Sequence, residues 1–180
     1  MSKLLTLCQR NKELTPSSPS SSGFSFHVVS GLKSARFTLE SPWKKDPKLK
    51  GSCAKGKTFE RTIYRRLCAV LNPADIHYGK WIRFEDSTGK HYAQPDIFIV
   101  GEKRIWLIEV KLSQTPNAFA QMRLLYKPLL EKLFPEKDIV LVQVCKNLRY
   151  KPKVSITRLR DALCPSVDYT YHCLGEVFNV

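Results

Sequence analysis

The chain contains no run of about 18 apolar residues, the length a helix needs to cross a bilayer, and this excludes a membrane-spanning helix. The opening stretch MSKLLTLCQRNKELTPSS has too short an apolar segment for a signal peptide, so the expectation is an intracellular protein, in the cytoplasm or in the nucleoid or nucleus. No CxxC pair occurs among Cys8, Cys53, Cys68, Cys145, Cys164 and Cys173, and His172 beside Cys173 lacks partners at finger-like spacing. Free thiols in a reducing compartment are therefore expected rather than a cysteine-based zinc site. There is no internal repeat. Acidic residues are scarce: 16 stand against 30 Lys and Arg, giving a formal charge of +14. Such a chain sets up a strong positive potential, and polyanions are its natural partners. Nucleic acid fits best, because neutralising phosphates releases counterions and gives salt-sensitive affinity. The plainer alternative is a basic protein that is merely soluble. Charge selects a class of partner and not an activity.

With 180 residues, 43% of them hydrophobic, the chain can bury one core. Residues 1–23 read as a flexible N-terminal tail and linker, since TPSSPSSSG cannot bury a core. A single folded domain is expected over 24–180. Phe24 to Leu39 suits one or two short strands broken at Ser30 and Gly31. In the next segment Lys44, Lys45, Lys48, Lys50, Lys55 and Lys57 outnumber Asp46, which suggests a loop that grips phosphates; Lys48, Lys50, Lys55 and Lys57 are the candidate nucleic-acid contacts. Lys57 to Leu71 carries Phe59, Ile63, Leu67 and Val70 at helical spacing and stops before Asn72 and Pro73. Glu60 falls in a row with Tyr64, Leu67 and Leu71 on the apolar side of that helix, where a carboxylate needs a partner.

Trp81 to Phe84 and His91 to Ala93 flank the turn segment Asp86 to Gly89 as a hairpin. QPDIFIV and RIWLIEVKLS, rich in Ile and Val, are the central strands, buried on both faces. Thr115 and Pro116 form the N-cap and first position of a helix running to Phe134, which Pro128 should kink. DIVLVQVC follows as a buried strand, so strand, helix, strand implies a parallel crossover. The fold class is α/β, with a mixed central sheet flanked by helices. VSITRLRDAL and YTYHCLGEVF are read as a short helix and a final edge strand.

The chemistry sits in the hairpin from Asp96 to Lys111. A two-residue turn at Glu102 and Lys103 makes paired residue numbers sum to 205, which sets Asp96 opposite Glu109 with Lys111 on the same face. Two carboxylates and an ammonium among Ile, Val, Leu and Trp cost several kcal/mol each, about, if buried without partners. Mg²⁺ compensates: it prefers hard oxygens, keeps several waters and needs only one or two protein carboxylates. It would also activate water and neutralise charge on an attacked phosphate. Lys111 would orient or help deprotonate that water and stabilise developing charge, and Glu60 would complete the metal shell directly or through water. The alternative is that Asp96 caps the strand start after Pro95 while Glu109 and Lys111 form an ordinary ion pair.

PD, twelve residues, then EVK resembles the PD-(D/E)xK nuclease superfamily, with Pro95, Asp96, Glu109, Val110 and Lys111 at the motif positions. Glu60 is similar to that family's first-helix acid, and Gln121 with Tyr126 resembles the downstream Gln and Tyr of RecB-type nucleases. Four residues separate Gln121 from Tyr126 where that subgroup has three, so no subfamily is assigned. The resemblance covers about Lys57 to Cys145 and implies a restriction-endonuclease-like α/β/α core. It also implies a metal held by Asp96, Glu109 and the Val110 carbonyl, with Lys111 catalytic and Glu60 auxiliary. Gln121 then orients the site or is a polar residue on a solvated helix face, and Tyr126 belongs to the core.

The implied activity is metal-dependent hydrolysis of DNA phosphodiester bonds by an endonuclease, with Mg²⁺ or Mn²⁺ as cofactor. DNA is preferred to RNA because the family acts mostly on DNA and no aromatic platform for splayed bases is evident. A homodimer or a larger DNA-processing complex is a family expectation. One competing reading is an inactive nucleic-acid-binding subunit on a nuclease scaffold. Another is a basic interaction protein without a metal site, in which Lys146, Arg149, Lys151 and Lys153 form a solvated face.

Overall fold

The computed structural model describes residues 26–39, 41–42, 50–147 and 169–172. Lys48, the 1–23 tail, the helix expected in VSITRLRDAL, and Arg149, Lys151 and Lys153 lie outside them. Two sheets form. Strands β1 (Ser34–Thr38), β3 (Trp81–Asp86) and β4 (Gly89–Ala93) make the smaller, in the order β1-β3-β4. Strands β2 (Ile76–Tyr78), β5 (Ile97–Val100), β6 (Arg104–Ser113), β7 (Asp138–Asn147) and β8 (Tyr169–His172) make the larger, in the order β2-β5-β6-β7-β8. β5 is antiparallel to β2 and β6, while β6, β7 and β8 run parallel, so the central sheet is mixed as expected.

Side-chain alternation divides the core between the sheet's two faces. Ile108 and Val110 of β6, with Val140, Val142 and Val144 of β7, meet Ile63 and Leu67 of helix α1 (Ser52–Val70). Ile105 and Leu107 of β6, with Leu141 of β7, meet Met122, Leu125, Leu129 and Leu130 of a second helical segment. Ile82, Phe84 and Ala93 of the smaller sheet join this second cluster. Each apolar side chain fully buried here contributes about 1.5–3 kcal/mol over exposure.

The β5–β6 hairpin keeps the register read from turn length. Ile97 pairs with Ile108, Phe98 with Leu107, Ile99 with Trp106 and Val100 with Ile105. Its turn is held by Gly101 N–H donating to the Arg104 carbonyl at 2.8 Å, and by Lys137 Nζ donating to the carbonyls of Gly101 and Glu102. A Cβ on Gly101 would lie 2.7 Å from Trp106 Cζ3, so the ring of Trp106 requires glycine there.

Several local expectations are corrected. The one or two strands expected between Phe24 and Leu39 form as one among the described residues, β1, while Phe26, Val29 and Leu32 pack on the second core cluster. Helix α1 starts at Ser52 rather than Lys57, directly after Gly51 at φ 61°, so Lys55 and Lys57 belong to its opening turns and not to a loop. Apolar periodicity cannot reveal a first turn that buries little. Thr115 occupies the N-cap position with extended backbone, but its side chain makes no capping bond.

The helix expected to bend at Pro128 is resolved differently. It comprises α2 (Pro116–Gln121), one π-helical turn (Met122–Tyr126) and α3 (Lys127–Leu133). Pro128 has no N–H to give the carbonyl four residues back, and that carbonyl, Leu124 O, instead accepts from Val29 N–H at 3.0 Å. Cys53, Cys68 and Cys145 are free thiols, and no helix among the described residues is long and apolar enough to cross a membrane.

Candidate active site

Asp96 sits at the bend entering β5, one step beyond the paired residues. Its side chain reaches across to β6: Oδ2 accepts the Val110 N–H at 2.9 Å, while its carbonyl accepts the Gly79 N–H at 3.0 Å. The capping part of the plainer alternative thus holds in a modified form, with the carboxylate bound to the neighbouring strand.

Glu109 is 1% exposed, on the face of β6 that carries Ile105 and Leu107. Its Oε1 accepts from Lys111 Nζ at 2.5 Å, and its Oε2 is buried with no hydrogen-bond partner among the described residues. Burial, with the Asp96 charge added, pushes the Glu109 carboxyl up to about 7 against the pull of Lys111. Burial also works to lower the Lys111 pKa, but Glu109, Asp96 and Glu60 more than offset it and hold the ammonium above the ordinary lysine value. Val110 is buried between them.

Glu60 comes to this site from α1. Burial and then the Asp96 charge raise its pKa, opposed by Lys57, whose Nζ is 2.5 Å from Glu60 Oε2. Lys57 also lies over the Tyr78 ring, 5.0 Å from its centre. It stands on the helix rather than on the expected loop, paired with Glu60. Lys50 and Lys55 are exposed beside it at the start of α1.

Glu60, Asp96, Glu109 and Lys111 are thus brought into one electrostatic unit, each acid acting on Lys111. The three acids are not the tightest possible ligand group, however. Among the described residues, the one set of three potential metal ligands whose atoms all lie within 4.8 Å is His27, Asp86 and His91.

Gln121 Nε2 donates to Tyr126 Oη at 2.8 Å, and Tyr126 Oη donates to the Gln94 carbonyl at 3.2 Å. Through Tyr126 it is linked to Gln94, two residues before Asp96. The π turn accounts for the spacing. It carries one residue more than an α-turn, so side chains five apart meet across it as those four apart do in an α-helix. Tyr126 is buried in the core, as expected.

Sequence reasoning missed Gln143, which is 1% exposed and stands beside Glu109 in the parallel register. Its Nε2 donates to the Thr115 carbonyl at 3.0 Å, tying β7 to the start of α2. A lone glutamine inside DIVLVQVC was the available signal. Also missed was an aromatic groove of about 400 Å³, lined by Tyr64, His77, Tyr78, Gly79, Lys80 and Trp81 among others, with the Tyr64 and Tyr78 rings stacked at 4.8 Å. Gly79 joins it to Asp96. A second cleft, about 580 Å³ and lined by Arg104, Lys127 and Lys137, opens at the far end of β6. Comparison with family models, with curated proteins and with solved structures finds no match to this chain.

Proposed function

We propose that this chain is a metal-dependent deoxyribonuclease of PD-(D/E)xK type that hydrolyses phosphodiester bonds within DNA. The observation that carries the reading is Glu109: a fully buried carboxylate with one oxygen on Lys111, the other unpartnered, and Asp96 adjacent. A buried acid in that condition is destabilising unless something cationic completes it. Carboxylate oxygens from Glu109 and Asp96 fit Mg²⁺ or Mn²⁺, with the Val110 carbonyl as the third protein oxygen. The bound ion would supply an activated water and neutralise charge on the phosphate.

The residues of the chain then divide the remaining work. Lys111 keeps its proton across the neutral range, so it stabilises negative charge developing on the phosphate and does not act as a general base. Glu109 must give up its proton before a cation binds, which ties affinity to pH around neutrality. Glu60, held by Lys57, adds a further acid at the rim. Gln121 and Tyr126 fix the Gln94 carbonyl, two residues before Asp96. A chain of +14 supplies attraction for the DNA backbone, and Lys50 and Lys55 are the proposed phosphate contacts beside the site.

A second reading is favoured by one observation: Lys111 satisfies half of Glu109 without any ion, as in a DNA-binding subunit that no longer cuts. The deciding experiment uses linear, circular and branched DNA with Mg²⁺ or with chelator. Metal-dependent cutting, including of circles, is expected, with a loss of about 100-fold or more in Asp96→Ala and Lys111→Ala. Undiminished cutting by Asp96→Ala removes the metal assignment. Salt-sensitive binding with no cutting by any form of the protein selects the second reading.

A further inference from the structure

We infer that His27, Asp86 and His91 form a binding site for a divalent transition ion of the zinc class, one that staples residues 26–30 to the β3–β4 hairpin. The site shares no residue with the proposed nuclease centre and does not depend on it. Asp86 ends β3 and is fully buried; His91 lies on β4 and is 5% exposed; His27 comes from the segment ahead of β1. Their ligand atoms all lie within 4.8 Å of one another. His27 Nε2 is 2.6 Å from Asp86 Oδ2 and His91 Nε2 is 3.4 Å from Asp86 Oδ1, while the two imidazoles stack at 4.2 Å.

Two histidines converge on one carboxylate that neighbouring donors already orient. Thr88 already gives Asp86 Oδ1 two donors, its N–H at 2.8 Å and its hydroxyl at 2.7 Å, and the Ser30 N–H approaches Oδ2 at 3.4 Å. These bonds orient the carboxylate as supporting contacts around a metal do. His91 Nε2 nevertheless turns toward the same centre, 2.8 Å from Thr88 Oγ1. Two imidazole nitrogens and one carboxylate oxygen are a zinc donor set, and ligand atoms on one tetrahedral ion stand about 3–4 Å apart. The protonation states suit it as well. Burial and then His27 lower the His91 pKa, which favours the neutral ring that a metal needs, and Asp86 is held as an anion. Zinc would take the place of the direct His27–Asp86 contact, with Thr88 or a water in the fourth position. Burial of Asp86 and His91 marks the site as structural.

The test is Co²⁺ and Zn²⁺ titration of the whole chain after chelator treatment. In the chain carrying Asp96→Ala, which removes the proposed nuclease metal, one Co²⁺ per chain is expected, with visible absorption typical of nitrogen and oxygen ligands, no thiolate charge-transfer band, and displacement by Zn²⁺. His27→Gln and His91→Gln should weaken binding by about 100-fold or more, whereas Asp96→Ala and Glu109→Ala leave this signal in place. Zn²⁺ should raise the Tm of the wild type and not of His27→Gln. His27 lies on a half-buried segment outside the strands, so that variant keeps the test decisive if His91→Gln fails to fold. Absence of the Co²⁺ spectrum in the wild type, an unchanged spectrum in both histidine variants, or a thiolate band would each overturn the assignment.

Discussion

Asp86 and Glu109 are both carboxylates sealed from solvent, at 0% and 1% exposure, yet they are driven in opposite directions. Burial works to raise both. At Asp86, donors from His27, Thr88 and Ser30 more than offset it and hold the carboxyl far below the usual carboxylate range. At Glu109 one ammonium is the sole donor among the described residues, a second carboxylate lies nearby, and the acid rises to about 7. The difference teaches that burial alone says nothing of a charge's role; the count and sign of what surrounds it does. Asp86 is anchored as an anion, whereas Glu109 is held between two protonation states.

The largest effect that can break this contrast is on stability. Asp86→Ala strands four donors and should cost about 3 kcal/mol or more, whereas Glu109→Gln should gain about 1–2 kcal/mol at pH 8 while abolishing cleavage. Paired urea unfolding curves decide it, and a destabilised Glu109→Gln would dissolve the contrast.

Next comes pH, measured on metal-free protein. The folded pKa of Glu109 lies above its ordinary 4.5, so its contribution is fully present below that value and lost as pH rises through about 7. The folded pKa of Asp86 lies below its ordinary 3.8, so its contribution is present above that value and lost as pH falls. Stability should therefore decline on both sides of an optimum between roughly pH 4.5 and 6. Glu109→Gln should flatten only the neutral side; an unchanged slope from pH 5 to 8 in that variant would count against the shift. The smallest effect concerns the surroundings of the Glu109 site. Lys50→Ala and Lys55→Ala should each weaken DNA binding across all sequences and reduce the salt slope by about 1, as read by fluorescence anisotropy at several salt concentrations.

What could be read beforehand followed the range over which each signal acts. The β5–β6 register was legible because a two-residue turn and a period of two leave one pairing, and Ile97 opposite Ile108 satisfies it. The parallel β6–β7 pair was legible from strand, helix, strand. That Glu60, Asp96 and Glu109 act together on Lys111 was legible too, since charges on otherwise apolar elements stand out. The start of α1 at Ser52 was hidden because its first turn buries too little to show a period. Thr115 was legible as the N-cap from Pro116 after it, but not the use of its carbonyl by Gln143. His27, Asp86 and His91 were invisible because 59 positions separate the first two, and only the folded sheet brings them together. The Lys57–Glu60 pair was not foreseen, because sequence shows charge but not whom it faces.

The carbonyl that Pro128 leaves open has a reach beyond its helix. By taking the Val29 N–H, Leu124 clamps the residues that carry His27 onto the same π turn whose Tyr126 braces Gln94, and through it Asp96. Loss of that one backbone bond would loosen two polar centres together, so a single missing amide hydrogen in proline makes the outlying N-terminal segment a structural dependency of the proposed catalytic acid.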